Sequence, residues 1–254
     1  MIEVKLLNYH PILKDISFSL QAGELMGIIG PNGSGKTTLV NIIANLIVPS
    51  SGNIIIDNIP ILKNHRYPHE KISLVPQLYQ GNPLFPLSVK RLIQLPFKIR
   101  EFKNKTLPFD EDFFVQLVER TGISPFLEKN IHQLSVGERQ RCLLVMALIK
   151  KPKVLLLDEP LSGLDGAGVD QILEVLHWEK VKKQMAIIVI DHQIGHLIKN
   201  ADKLLCINHT GHWHDHKDQL TKEILQNYYH CEFEHLLMHS QGKEGKECPT
   251  SGNH

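Results

Sequence analysis

The sequence predicts an α/β protein built on a largely parallel sheet covered on both faces. Two patterns predict it. Short apolar runs alternate with amphipathic helical stretches along much of the chain. Several runs, notably Val154–Leu157 and Ala186–Ile190, are apolar at every position, as strands buried on both faces are. A third observation agrees: a glycine-rich segment, GPNGSGKT at Gly30–Thr37, follows one such run and opens a helical pattern.

The elements follow in order. Ile2–Leu7 and Ile16–Leu20 alternate or run apolar, as strands do. Leu25–Ile29 is a short buried strand ending at Gly30. A helix starting at Gly35 carries Leu39, Ile42 and Ile43 on one face. Ser51-Gly52 reads as a turn, with a strand over Asn53–Ile56 and another over Ile72–Val75. Prolines punctuate the stretch from Pro83 to Pro108, where helices are expected around Val89–Leu95 and Asp110–Thr121. Val136–Leu148 and Ala167–Lys180 are helices, and Val154–Leu157 and Ala186–Ile190 are strands. Residues 241–254 are polar, contain glycine and proline, and are expected to be disordered.

Composition bounds the function. The chain has 254 residues and 42% hydrophobic content, enough for one large domain with a small appendage. Lys plus Arg number 28 against 27 for Asp plus Glu, so charge makes no case for nucleic acid as a partner. No apolar run approaches the roughly 18 residues of a membrane span, and the N-terminus lacks a signal-peptide pattern. A soluble protein in the cytosol is expected, reaching a membrane only by docking to another chain. Cys142, Cys206, Cys231 and Cys248 form no CxxC pair, so neither a disulfide framework nor a zinc ribbon is indicated.

Gly30–Thr37 matches the phosphate-loop pattern GxxxxGK[ST] in full. Gly30, Gly33 and Gly35 let backbone N–H groups curl round a phosphate without an obstructing Cβ. Lys36 suits the β- and γ-phosphates, the Thr37 hydroxyl suits Mg²⁺, and the following helix aims its positive end at the anion. Asn32, Ser34 and Thr38 complete the candidate nucleotide-binding set. Val154–Glu159 reads VLLLDE, a buried strand with two carboxylates at its C-terminal end, where open α/β sheets bind ligands. Asp158 is the candidate Mg²⁺ support and Glu159 the candidate general base for an attacking water.

With these residues in hand, the chain resembles the ABC (ATP-binding cassette) ATPase family. The resemblance covers roughly residues 2–220. Leu134–Glu138, LSVGE, looks like the family's LSGGQ signature. It implies that Ser135 and Gly137 contact the γ-phosphate of ATP held by the opposite subunit of a homodimer. Gln77 resembles the glutamine that links Mg²⁺ to the membrane partner. Asp165 in SGLD resembles the loop that couples the two sites. His192 resembles the switch histidine that contacts the γ-phosphate, and Tyr9 the aromatic that stacks on adenine. Two positions depart from the pattern: Glu138 replaces glutamine, and Val136 replaces the first glycine of the signature, where valine cannot take a positive φ cheaply.

The resemblance implies a P-loop fold with a mostly parallel core sheet, an antiparallel β subdomain and an inserted helical subdomain at about 83–150. The ATPase domain then spans 1–220, and 221–254 form a histidine-containing extension. ATP and Mg²⁺ are the implied cofactors. The segment after Gln77, with PLSVKRLIQL, and CINHTGHW at Cys206–Trp213 are similar to zinc-importer ATPases of bacteria. That implies a permease partner and, indirectly, a metal-binding substrate-binding protein. The chain would sit peripherally at the cytoplasmic face of the inner membrane. Import of manganese, iron or a siderophore, a soluble ABC ATPase and a metal chaperone remain alternatives. The histidines give separate support for metal. His209, His212, His214 and His216 fall within eight residues, and imidazole suits Zn²⁺. On a helix Cys231, His235 and His239 would share a face, a second candidate zinc patch.

Overall fold

The computed structural model describes residues 1–60, 71–77, 87–102, 108–191 and 194–214. Among the described residues ten strands and six α-helices follow one another: β1 (Ile2–Tyr9), β2 (Leu13–Leu20), β3 (Leu25–Ile29), α1 (Lys36–Ile43), β4 (Ser51–Ile56), β5 (Ile59–Pro60), β6 (Ile72–Val75), α2 (Val89–Phe102), α3 (Glu111–Thr121), α4 (Val136–Leu148), β7 (Val154–Asp158), α5 (Gly166–Lys183), β8 (Ala186–Ile190), α6 (Ile194–Asn200), β9 (Lys203–Asn208) and β10 (Thr210–His214). The strands form a single sheet in the order β5-β4-β1-β2-β10-β9-β3-β8-β7-β6.

The sheet has two characters. From β9 to β6 every neighbouring pair is parallel. From β5 to β2 every pair is antiparallel. The hairpin β9–β10 joins the halves, β10 pairing with β2 through Thr210 and Lys14.

The apolar runs of the parallel half are explained by their two covered faces. Along β7, Leu155 and Leu157 enter one core cluster, and Val154 and Leu156 enter the other. Along β8, Ile187 and Val189 join the first cluster, and Ala186, Ile188 and Ile190 the second. Each is essentially excluded from water, a burial worth about 1.5–3 kcal/mol for a Val, Leu or Ile side chain.

Helix ends are set by local chemistry. Asp110 caps α3 by accepting from the Phe113 amide at 2.9 Å, and Gly122 ends it in the left-handed region at φ 62°. The structure corrects one expected turn. Ser51 and Gly52 begin β4, with Gly52 at φ 96° and pressed on β1, where a Cβ would lie 2.5 Å from the Leu6 carbonyl oxygen. The helix expected near Val89–Leu95 continues as α2 past Pro96. β5, α6 and the β9–β10 hairpin add elements that periodicity alone does not predict.

Candidate functional site

Parallel strands share an edge. Because β3, β6 and β7 run in one direction, their C-terminal ends lie together, and each delivers a predicted site residue. β3 leads into the Gly30–Thr37 loop, β6 into Gln77, and β7 into Asp158 and Glu159. His192 lies outside the described residues.

The loop is shaped by its glycines. A Cβ on Gly30 would sit 2.0 Å from the Ile207 carbonyl oxygen of β9, so the backbones approach only because none is there. Gly35, at φ 101°, supplies the left-handed N-cap of α1, and no side chain caps that helix. Lys36 is buried and its Nζ donates to the Gly30 and Pro31 carbonyls at 2.8 and 2.9 Å. Burial pushes its ammonium below the usual lysine range, and the Glu159 and Asp158 carboxylates oppose that shift.

These residues fit a magnesium-bound nucleoside triphosphate. A cleft of about 340 Å³ is lined by Ile12, Asn32, Gly33, Gly35, Lys36, Thr37, Thr38 and Glu159. The Ser34 hydroxyl is buried in the loop without a hydrogen-bond partner among the described residues. Cradle, lysine, hydroxyls and carboxylate are the donor set that a phosphate chain and its hard cation need.

Asp158 is buried at the end of β7. Glu159, half-buried, adopts φ 53°, a left-handed value that costs a non-glycine residue about 1–3 kcal/mol and marks functional sites when the surroundings enforce it. Two contacts pin it: its amide donates to the Ile190 carbonyl at 2.8 Å, and its Oε2 accepts from Gln77 Nε2 at 2.6 Å. Gln77 and Glu159 are 82 residues apart in sequence, yet they meet directly.

A second cleft, of about 520 Å³, is lined by Ser135, Val136, Gly137, Glu138 and Arg141 on one side and Gly163, Leu164, Asp165, Ala167, Gly168 and Gln171 on the other. It shares no residue with the first. Ser135 and Glu138 form a capping box for α4. Glu138 N donates to Ser135 Oγ at 3.3 Å, and Ser135 N donates to Glu138 Oε2 at 2.8 Å. The backbone bond from Ser135 holds the Glu138 carboxyl below its ordinary range. Asp165 caps α5 by accepting from the Gly168 amide at 2.8 Å.

The expectation about Val136 is corrected. Val136 is the first residue of α4 with ordinary helical φ, so no positive φ is demanded there. Its exposed side chain lies over Gly163, which provides room with a φ of 73° and no Cβ.

Other predicted residues are dispersed. Tyr9 is half-buried against the core at the end of β1, while Ile12, three residues on, takes the cleft wall. Sequence reading missed Ile12, whose turn position gives no chemical signal. Two members of the histidine cluster, His209 and His214, stand apart. His209 lies in the β9–β10 turn and His214 is buried at the far end of β10, roughly 17 Å along an extended strand. Among the described residues no group of three or more metal-ligating side chains assembles. His216, Cys231, His235 and His239 lie outside the described residues. Cys142 and Cys206 are buried free thiols, pushed up to about 12 by that burial and so inert. No described helix is long and apolar enough to cross a membrane.

Comparison with known proteins agrees with this geometry. A probable metal transport system ATP-binding protein of Thermotoga maritima is 33% identical over 233 residues, 90% of each chain. The zinc import ATP-binding protein ZnuC of Yersinia enterocolitica is 33% identical over 78% of this chain and 70% of its own. The solved structure of cbiO1 from Clostridium perfringens, described as part of the ABC transporter complex cbiONQ, superposes with a TM-score of 0.72 at 30% identity, covering 93% of this chain and 98% of that one. The sequence profile of the ABC transporter family matches residues 13–162, from β2 through the phosphate loop and the β7 carboxylates, and the chain belongs to that family.

Proposed function

We propose that this chain is the ATP-hydrolysing subunit of a transporter that imports a metal ion, zinc foremost, through a partner membrane permease. It works as a homodimer, bound peripherally at the cytoplasmic face of the inner membrane. A metal-binding protein outside delivers the ion to the permease. The observation that carries the ATPase reading is the pair of clefts that share no residue. One has the phosphate loop and a carboxylate, the other a capped helix start and an adjoining loop. Each is half of a nucleotide site, and a second copy of the chain supplies the complement. Zinc is favoured by relatives named for zinc import and metal transport.

The residues divide the work. The loop amides of Gly30, Gly33 and Gly35 with Lys36 bind and orient the phosphate chain, assisted by Asn32, Ser34 and Thr38. Thr37, Asp158 and Gln77 would hold Mg²⁺, which when bound neutralises charge on the phosphate oxygens. Tyr9 supports the adenine, and Ser135, Gly137 and Asp165 act across the interface on the partner's nucleotide. Glu159 accepts a proton from the attacking water, and His192 orients the γ-phosphate. Gln77, hydrogen-bonded to Glu159, also carries the permease's movement to the catalytic carboxylate. Cys231, His235 and His239 in the extension, with His216 just before it, are proposed as cytosolic zinc ligands on their chemistry alone.

The test is metal uptake in cells carrying the chain with its permease, against Glu159→Gln. Zinc entry lost in the variant, with manganese and iron entry unchanged, is the expected result. Loss of manganese or iron entry instead reassigns the ion. Equal uptake of all three in both strains removes the transport assignment. An arm with His216, Cys231, His235 and His239 replaced by alanine is expected to lose zinc-dependent control of uptake; unaltered control removes the tail site.

A further inference from the structure

We infer that His209 is a positioning residue for the nucleoside, holding the Ile12 wall of the cleft against the phosphate loop. The inference rests on the reading of the Gly30–Thr38 cleft as the MgATP site, and it gives His209 a task other than metal binding.

His209 occupies the turn between β9 and β10 with φ 61°, a left-handed value that a non-glycine residue adopts at a cost. Such strain persists where the surroundings over-determine it, and here three bonds do. Its amide donates to the Ser34 carbonyl of the phosphate loop at 3.4 Å. Its carbonyl accepts from the Lys14 amide of β2 at 2.8 Å. Its ring Nδ1 lies 3.1 Å from the Ile12 carbonyl. A carbonyl only accepts, so Nδ1 carries the proton and the bond runs from ring to wall. One residue thus ties the phosphate loop, β2 and the turn before β2 together. It does so at the seam where the antiparallel half of the sheet meets the parallel half through Thr210 and Lys14.

What the tie positions is chemically distinct from the rest of the cleft. Ile12 is the single aliphatic side chain among the residues lining it. Its Cγ2 would lie 2.9 Å from a Cβ on Gly35, so it presses directly on the loop's left-handed glycine. An apolar wall beside a phosphate cradle fits the carbon faces of a ribose and base and offers nothing to phosphate oxygens. Loss of the ring bond therefore loosens the nucleoside end and spares the phosphate end.

The experiment compares the full-length protein with His209→Gly, which keeps the left-handed backbone and drops the ring, and His209→Asn. Asparagine tolerates that φ and retains a side-chain donor. Readouts are kcat and KM for MgATP, the inhibition constant of inorganic tripolyphosphate, and the thermal unfolding midpoint. His209→Gly is expected to raise KM about 5-fold, the worth of about one neutral hydrogen bond, with the effect falling on KM rather than kcat. The tripolyphosphate constant should hold, and His209→Asn should recover most of the loss. Parallel increases in KM and the tripolyphosphate constant would place the effect in the phosphate loop and overturn the inference. A lowered midpoint with unchanged KM would make the role purely structural and overturn it as well. A wild-type protein that fails to saturate with MgATP overturns the cleft assignment itself, and this inference with it.

Discussion

Glu159→Gln lowers ATP turnover on the order of 10²–10⁴-fold, the usual contribution of a positioned general base, and leaves MgATP binding nearly intact. The amide matches the carboxylate in size but takes no proton at neutral pH. The fold survives because the pinning contacts persist. The backbone bond to Ile190 is unaffected, and the new amide can turn its oxygen toward Gln77 Nε2. The left-handed φ of Glu159 is equally available to glutamine. Single-turnover phosphate release and equilibrium MgATP binding check the two halves of the expectation. Turnover within about threefold of wild type would remove Glu159 from the proton transfer.

Gly30→Ala should abolish detectable nucleotide binding and destabilise the fold, whereas Gly33→Ala in the same loop should be milder. A Cβ on Gly30 would stand 2.0 Å from the Ile207 carbonyl oxygen and 2.9 Å from Ser34 Oγ. The first neighbour is backbone of β9, a strand paired on both sides, and cannot swing aside, so loop and sheet must part. Overpacking of this kind costs about 1–3 kcal/mol or more. Around Gly33 no atom lies within 4 Å, and only its φ of 79° resists a side chain, at about 1–2 kcal/mol. Thermal unfolding should separate the two, at about 2–4 °C per kcal/mol for a domain of this size. Equal midpoints for both variants would show that the approach to β9 does not shape the loop.

How much of this was legible depends on whether cause and effect are close in sequence. The phosphate loop and VLLLDE were legible because each carries its context: a fully apolar strand runs directly into the polar residues it presents. The Gln77–Glu159 contact was not, since strand order alone decides that β6 and β7 are neighbours. Ile12 and His209 meet across 197 residues, and nothing beside either in the sequence announces the contact. Val136 was misread because the signature was judged by glycine's freedom, while its backbone is simply the start of a helix. His209 and His214 illustrate the opposite case: closeness in sequence is separation in space once the chain is extended.

The two clefts with no residue in common have a genetic consequence. In the proposed dimer each composite site draws one half from each chain. A chain disabled at Lys36 spoils the site its own loop begins, and a chain disabled at Ser135 spoils the site its partner's loop begins. When the two defective chains pair, both faults fall on the same site, and the other is assembled wholly from sound parts. Two alleles that are each null alone should therefore complement when co-expressed. Two alleles drawn from the same cleft should not.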